Sequence, residues 1–116
     1  MLIKKIKDVP AEKVQMEGTK DVSVRVLFGP KDAAPTFAMR VFELAKAGHT
    51  PYHSHPYEHG VLILKGEVAV VTEKGPVNLN TSHTLMVSPN EMHQFKNLSK
   101  TDTAEILCII PVQFQK

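Results

Sequence analysis

The 116-residue sequence contains no apolar run long enough to cross a bilayer, only one cysteine, no Arg-rich segment and a net charge of only +2. Each of these excludes a class of function. Lys4, Lys5, Lys7 and Asp8 interrupt the aliphatic residues between Met1 and Pro10, so this segment lacks the apolar core of a secretory signal. A cytoplasmic location without a membrane partner is expected. The lysines are scattered and there is no aromatic platform motif, so no nucleic-acid partner is expected. No DNA-binding helix is in view, which argues against a self-contained transcription factor. Cys108 stands alone, which excludes an internal disulfide and a multi-cysteine zinc module. No Ser-His-Asp arrangement, Gly-rich phosphate loop or pair of catalytic carboxylates can be made out, so hydrolase and kinase chemistry have no support.

The length suits one domain, residues 1–116, around one core, and 42% apolar with 22% charged residues is ordinary for a globular chain. Short alternating or continuous β-branched runs predict strands at Leu2–Ile6, Val22–Phe28, Thr36–Leu44, His59–Lys65, Glu67–Glu73, Thr84–Val87 and Ala104–Ile110. The segments between them, such as Gly29-Pro30-Lys31-Asp32, Lys74-Gly75-Pro76 and Ser88-Pro89-Asn90, carry turn residues. Glu43 to Lys46 has helical propensity, but the run is too short, and Gly48 and Pro51 follow it. The pattern is all-β, a sandwich or barrel. Val61–Leu64 and Ile106–Ile110 are apolar on both faces, and one small barrel has a single interior. A homodimer covering the second face is therefore expected.

Six histidines are the unusual feature, and four of them fall between His49 and His59. On a β-strand, ended by Pro56, His53 and His55 project to the same side, close enough to share one ion. Pro56 redirects the chain, and His59 can return towards the same point. Neutral imidazole is a good ligand for divalent Mn, Fe, Co, Ni, Cu and Zn. A further ligand must come from elsewhere. His93 stands at a strand entrance, after a turn in which Asn90 can take the left-handed conformation.

Taken together, the two segments resemble the cupin family of small jelly-roll barrels, and the resemblance covers nearly the whole chain. The family's first motif matches Gly48, His53, His55, His59 and Gly66, with His59 where a glutamate is usual and Gly48 one residue closer to His53 than usual. The second matches Ser82, Ser88, Asn90, His93 and Asn97, of which only the last two are the usual residues. The resemblance implies a double-stranded β-helix barrel and is strongest to single-domain cupins with four-histidine sites, where manganese or iron is common. It implies one divalent transition metal held by His53, His55, His59 and His93, with Mn or Fe favoured and Ni, Zn, Co or Cu also compatible. Glu58 beside His59 offers a carboxylate alternative. Consecutive strand residues face opposite ways, and the family spacing favours His59. His83 is expected in an exposed turn and His49 at the periphery.

Four neutral imidazoles would leave the ion its full +2 charge and two adjacent open positions. Such a site favours a small anionic chelator: an enediolate, a dicarbonyl enolate, an α-keto acid or a catechol-like diol. Alternation predicts a pocket wall of Ile106, Cys108 and Ile110, with Phe37, Met39 and Val41 as one apolar set on Phe37–Leu44 and Arg40 in the other. Phe95 is expected beside His93. The function expected is a mononuclear Mn/Fe oxygenase or related lyase acting on a small chelating substrate. A non-catalytic metal-dependent sensor and a cupin-type isomerase are the alternatives.

Overall fold

A computed structural model describes residues 1–116 as nine strands and three single 3-10 turns. The strands are β1 (Glu12–Lys13), β2 (Lys20–Phe28), β3 (Phe37–His49), β4 (His59–Lys65), β5 (Val68–Thr72), β6 (Gly75–Leu79), β7 (Thr84–Val87), β8 (Gln94–Asn97) and β9 (Ala104–Pro111). All pairings are antiparallel, in the order β6-β5-β8-β3-β9-β4-β7, with β2 and then β1 added on β3. The sheet curls on itself into a double-stranded β-helix barrel. No helix is long and apolar enough to cross a membrane.

Curling requires a corner, and β3 supplies it. Most of its length pairs with β2 and β9, and its last residue, His49, pairs with Lys96 of β8. At this corner Ala47 is left-handed (φ 55°), and a Cβ on Gly48 would lie 2.9 Å from the carbonyl oxygens of Lys20, Asp21 and Ala45. Only glycine allows the backbones to approach this closely. Gly66, with φ 85°, turns the chain at the end of β4.

The interior is the period-2 face of each strand. His59, Val61 and Ile63 on β4 and Ala104, Ile106, Cys108 and Ile110 on β9 point inward, as do Val68 and Val70 on β5 and Phe95 and Asn97 on β8. Asn97 is buried, and its Nδ2 lies 3.0, 3.1 and 2.8 Å from the carbonyl oxygens of Leu44, Ala45 and Asp102. One amide thus ties the β3 corner to the loop before β9.

Several strand predictions need correction. Leu2–Ile6 is not a strand: no neighbouring edge pairs with it, and only a 3-10 turn at Ile6–Asp8 forms, because an extended segment without a partner strand gains no ladder. Gly75-Pro76 is not simply a turn but opens β6, an edge strand on which proline is tolerated. β3 runs five residues past Leu44, through the corner.

Asn97→Ala should destabilise the fold by about 2 kcal/mol, because buried carbonyls lose their donor. A lowered urea midpoint with an unchanged slope is the measurement that checks it.

Candidate metal centre

Between β3 and β4, Pro51 and Pro56 lack the N–H groups that a continuous ladder needs, so His53 and His55 lie in an extended loop rather than in a strand. That loop is held against the entrance of β8. His53 N donates to His93 O (3.1 Å) and His93 N to His53 O (2.9 Å). Asn90 N donates to His55 O (2.6 Å), and Asn90 is left-handed (φ 66°), as the turn before His93 requires. Thr50 closes the same junction, since its Oγ1 accepts from Phe95 N (2.9 Å).

This pairing gathers the imidazoles. The candidate ligand nitrogens of His53, His55 and His93 all lie within 4.8 Å of one another. The His53 and His55 rings are 4.2 Å apart at their centroids, and His93 is 5.2 Å from His53. His59 is outside that three-nitrogen group, but its ring is 4.6 Å from His55 and 5.2 Å from His93. His59 is buried and Glu58 exposed, as the alternation of β4 requires, so the carboxylate turns away from the cluster. His49 ends β3 beside Gln94, and His83 lies in an exposed turn; neither joins the group.

The hydrogen bonds around the rings direct their free nitrogens. His93 Nδ1 lies 2.8 Å from Glu91 O, so Nδ1–H donates there and Nε2 keeps its lone pair. His59 Nδ1 is 3.5 Å from Cys108 Sγ, and its Nε2 is buried without any hydrogen-bond partner. An orphaned buried nitrogen beside three converging imidazoles, with its lone pair free, would be satisfied by a cation. Burial first, then the neighbouring cationic groups, lowers His59 to about 3 and His55 to about 4, and His53 is lowered for the same reasons. At neutral pH these rings are uncharged and able to ligate. Burial raises the Cys108 thiol, leaving it protonated.

A cavity of about 420 Å³ opens above the cluster. Val22, Val24, Phe42, Phe95, Ile106 and Phe114 supply its apolar wall, and Arg40 and Lys116 are its cationic groups other than histidine. No Asp or Glu lines it. Tyr57 stacks against His55 (4.9 Å), His59 (5.3 Å) and Phe114 (4.1 Å), so an aromatic column flanks the imidazoles. A larger groove of about 750 Å³ runs along the N-terminal segment, but it contains none of the histidines.

Of the expected pocket residues, Phe95 and Ile106 line the cavity, and Phe95 packs on His93 with centroids 5.8 Å apart. Cys108 lies behind His59 rather than in the wall, and Ile110 is core. Phe37 and Met39 are on the wrong face. The inward set of β3 is Ala38, Arg40, Phe42 and Leu44, opposite Ile110, Cys108, Ile106 and Ala104. Both faces of β3 are apolar, and placing a charged residue outward is the usual rule, so the pattern pointed the wrong way. Tyr57 was missed, although it shares the odd parity of 53, 55 and 59.

A family model described as Cupin domain matches residues 40–110. Among solved structures, the chain is similar to the polyketide cyclase RemF from Streptomyces resistomycificus, with a TM-score of 0.90 and 28% identity over 97% of this chain and 80% of that one. It is also similar in fold to a predicted oxalate decarboxylase from Thermotoga maritima (TM-score 0.84, 17% identity, 96% of this chain and 99% of that one). A sugar phosphate isomerase from Silicibacter pomeroyi shares the fold as well (TM-score 0.80, 14% identity, 92% and 73%). No curated protein matches the sequence.

Because the unfolded chain takes up these protons near pH 6.5 and the folded chain only near 4 and 3, acid in that window favours unfolding. The metal-free protein should therefore lose stability progressively as pH falls from about 6.5 to 4, and urea midpoints across that range check it.

Proposed function

The chain belongs to the cupin domain family, and from that footing we propose that it is a metal-dependent enzyme acting on a small, anionic, chelating substrate of the 1,3-dicarbonyl, enediol or catechol type. One observation carries the reading: uncharged imidazoles with free lone pairs line an apolar cavity that has no Asp or Glu side chain in its wall.

In this reading His53, His55, His93 and His59 hold one Mn or Fe ion, His59 through its orphaned Nε2. When bound, the ion supplies Lewis-acid activation of the chelating oxygens and, as Mn or Fe, access to oxygen chemistry. Glu91 O holds the His93 ring in its ligating tautomer. His59 Nδ1–H donating to the Cys108 sulfur would do the same for that ring. Phe42, Phe95 and Ile106 exclude water around the carbon skeleton, and the Tyr57–Phe114 stack walls one side. With no Asp or Glu in the lining, no side-chain carboxylate is at hand to remove a substrate proton. A substrate that enters already as an enolate or phenolate suits such a site.

Oxygenase or related lyase chemistry is the first reading. Redox-neutral cyclisation is the second, favoured by 28% identity with a polyketide cyclase across 97% of the chain. We also propose that two copies pair through the outer face of β4, β7 and β9, where Leu62, Leu64, Met86 and Ile109 are exposed on adjacent strands.

Purified protein should contain Mn or Fe and consume oxygen with diketones or catechols. Turnover under nitrogen would instead support cyclisation, binding without turnover a sensor, and failure to retain any transition metal would overturn the whole reading. His59→Ala should weaken metal affinity roughly tenfold or more, with Glu58→Ala near wild type; the reverse would reassign the fourth ligand. Light scattering should give the mass of a dimer, and Leu62→Glu should give that of a monomer.

A further inference from the structure

We propose that Arg40 is the anion-recognition residue of this cavity and that the substrate carries a carboxylate in addition to its chelating oxygens. This inference deepens the metal-dependent reading above and rests on it.

Arg40 lies on the inner face of β3, between Val26 of β2 and Cys108 of β9. Its Nη2 donates to Cys108 Sγ (2.9 Å), and its guanidinium lies 4.9 Å from the Phe42 ring centre. Its Nε is buried and has no hydrogen-bond partner. A thiol sulfur is a weak acceptor, so Nη2 is poorly satisfied and Nε not at all. No Asp or Glu side chain compensates it: the chain's one ion pair joins Lys4 to Asp32, and the cavity lining contains neither residue type.

The other charged side chains show how unusual this is. Arg25, the only other arginine, donates to the main-chain oxygens of Lys7 and Val9. Lys4 has Asp32 at 2.8 Å. Arg40 alone is turned into the barrel with no oxygen acceptor. Holding a part-buried cation without a counter-ion is unfavourable, and a forked donor matches the two oxygens of a carboxylate. A phosphate would call for several converging donors or a backbone nest, whereas this wall is mainly apolar with a single guanidinium.

Arg40 is also close to the candidate metal centre. It donates to the same sulfur that lies 3.5 Å from His59 Nδ1, and it lines the same cavity as all four histidines. A carboxylate on Arg40 and oxygens at the histidines would therefore belong to one small molecule spanning the cavity.

The test uses two probes with the same 1,3-dicarbonyl head, 4,6-dioxoheptanoate and 2,4-pentanedione, of which only the first bears a carboxylate, set two methylenes away from the chelating oxygens. Calorimetric titration of Mn-loaded wild type should show the acid binding about tenfold tighter or more. Arg40→Gln should abolish that preference while leaving Mn affinity and pentanedione binding within about twofold, and Arg40→Lys should restore part of it. Lys116→Gln should retain the preference. Unfolding midpoints establish that each variant is folded, and the Arg40→Lys comparison stands if Arg40→Gln is not. A preference that survives in Arg40→Gln, or equal loss of both probes, overturns the proposal. If wild type takes up no Mn, the metal-dependent reading fails by itself. Carboxylate binding to the metal-free protein that requires Arg40 would then still uphold the anion site, and its absence would overturn that too.

Discussion

Two backbone hydrogen bonds between His53 and His93 hold the centre of this molecule together. They join a proline-flanked loop to the entrance of β8, forty residues later in the chain, and they bring the imidazoles of both segments to one point. The pairing is short because Pro51 and Pro56 prevent a longer ladder. Thr50 compensates by lending its hydroxyl to Phe95 N, and Asn90 by donating its own N–H to His55 O. The barrel is the frame that makes so brief a contact reliable: β8 is anchored on β5, and the corner of β3 delivers the loop to it.

Crowding several imidazoles in a partly buried site would be untenable if they were charged. The same burial that crowds them also removes the charge, lowering His55 and His59 far below neutral pH. What remains is a set of lone pairs, some with no acceptor of their own inside the protein. The His59 Nε2 and the Arg40 Nε are both buried and unpartnered, and both residues contact the Cys108 sulfur through another nitrogen, His59 Nδ1 and Arg40 Nη2. Buried polar atoms normally find partners within the fold, and two unsatisfied ones beside the same sulfur identify the part of the interior arranged for something other than packing.

The electrostatics of the cavity follow from that arrangement. Its side chains contribute neutral histidines, an arginine and a rim lysine, without an acidic residue to balance them. A divalent ion would add further positive charge. That charge balance and the apolar wall are what the proposed substrate, an anion with a compact carbon skeleton, would meet. The fold alone would not decide this, because structures with the same barrel include a cyclase, a predicted decarboxylase and an isomerase.

Alternation and turn chemistry made most of the barrel legible in the sequence. β4 and β7 have the predicted bounds, β2, β5 and β9 are within two residues of them, and the inward set Ile106, Cys108 and Ile110 follows from parity on a strand whose polar residue points out. The cluster of His53, His55 and His93 was legible because residue type and spacing were enough. Three features needed the tertiary structure. Leu2–Ile6 has strand composition but no neighbour, and a ladder is a property of two segments. The face of β3 could not be read, because Phe37, Met39 and Val41 are as apolar as the set that lies inside, and only pairing with β2 and β9 turns Arg40 inward. The partners of His59 and His93, a thiol forty-nine residues away and a carbonyl two residues away, depend on ring orientation, which periodicity does not encode. Local pattern sets which way side chains alternate; only the closing of the barrel decides which side is in.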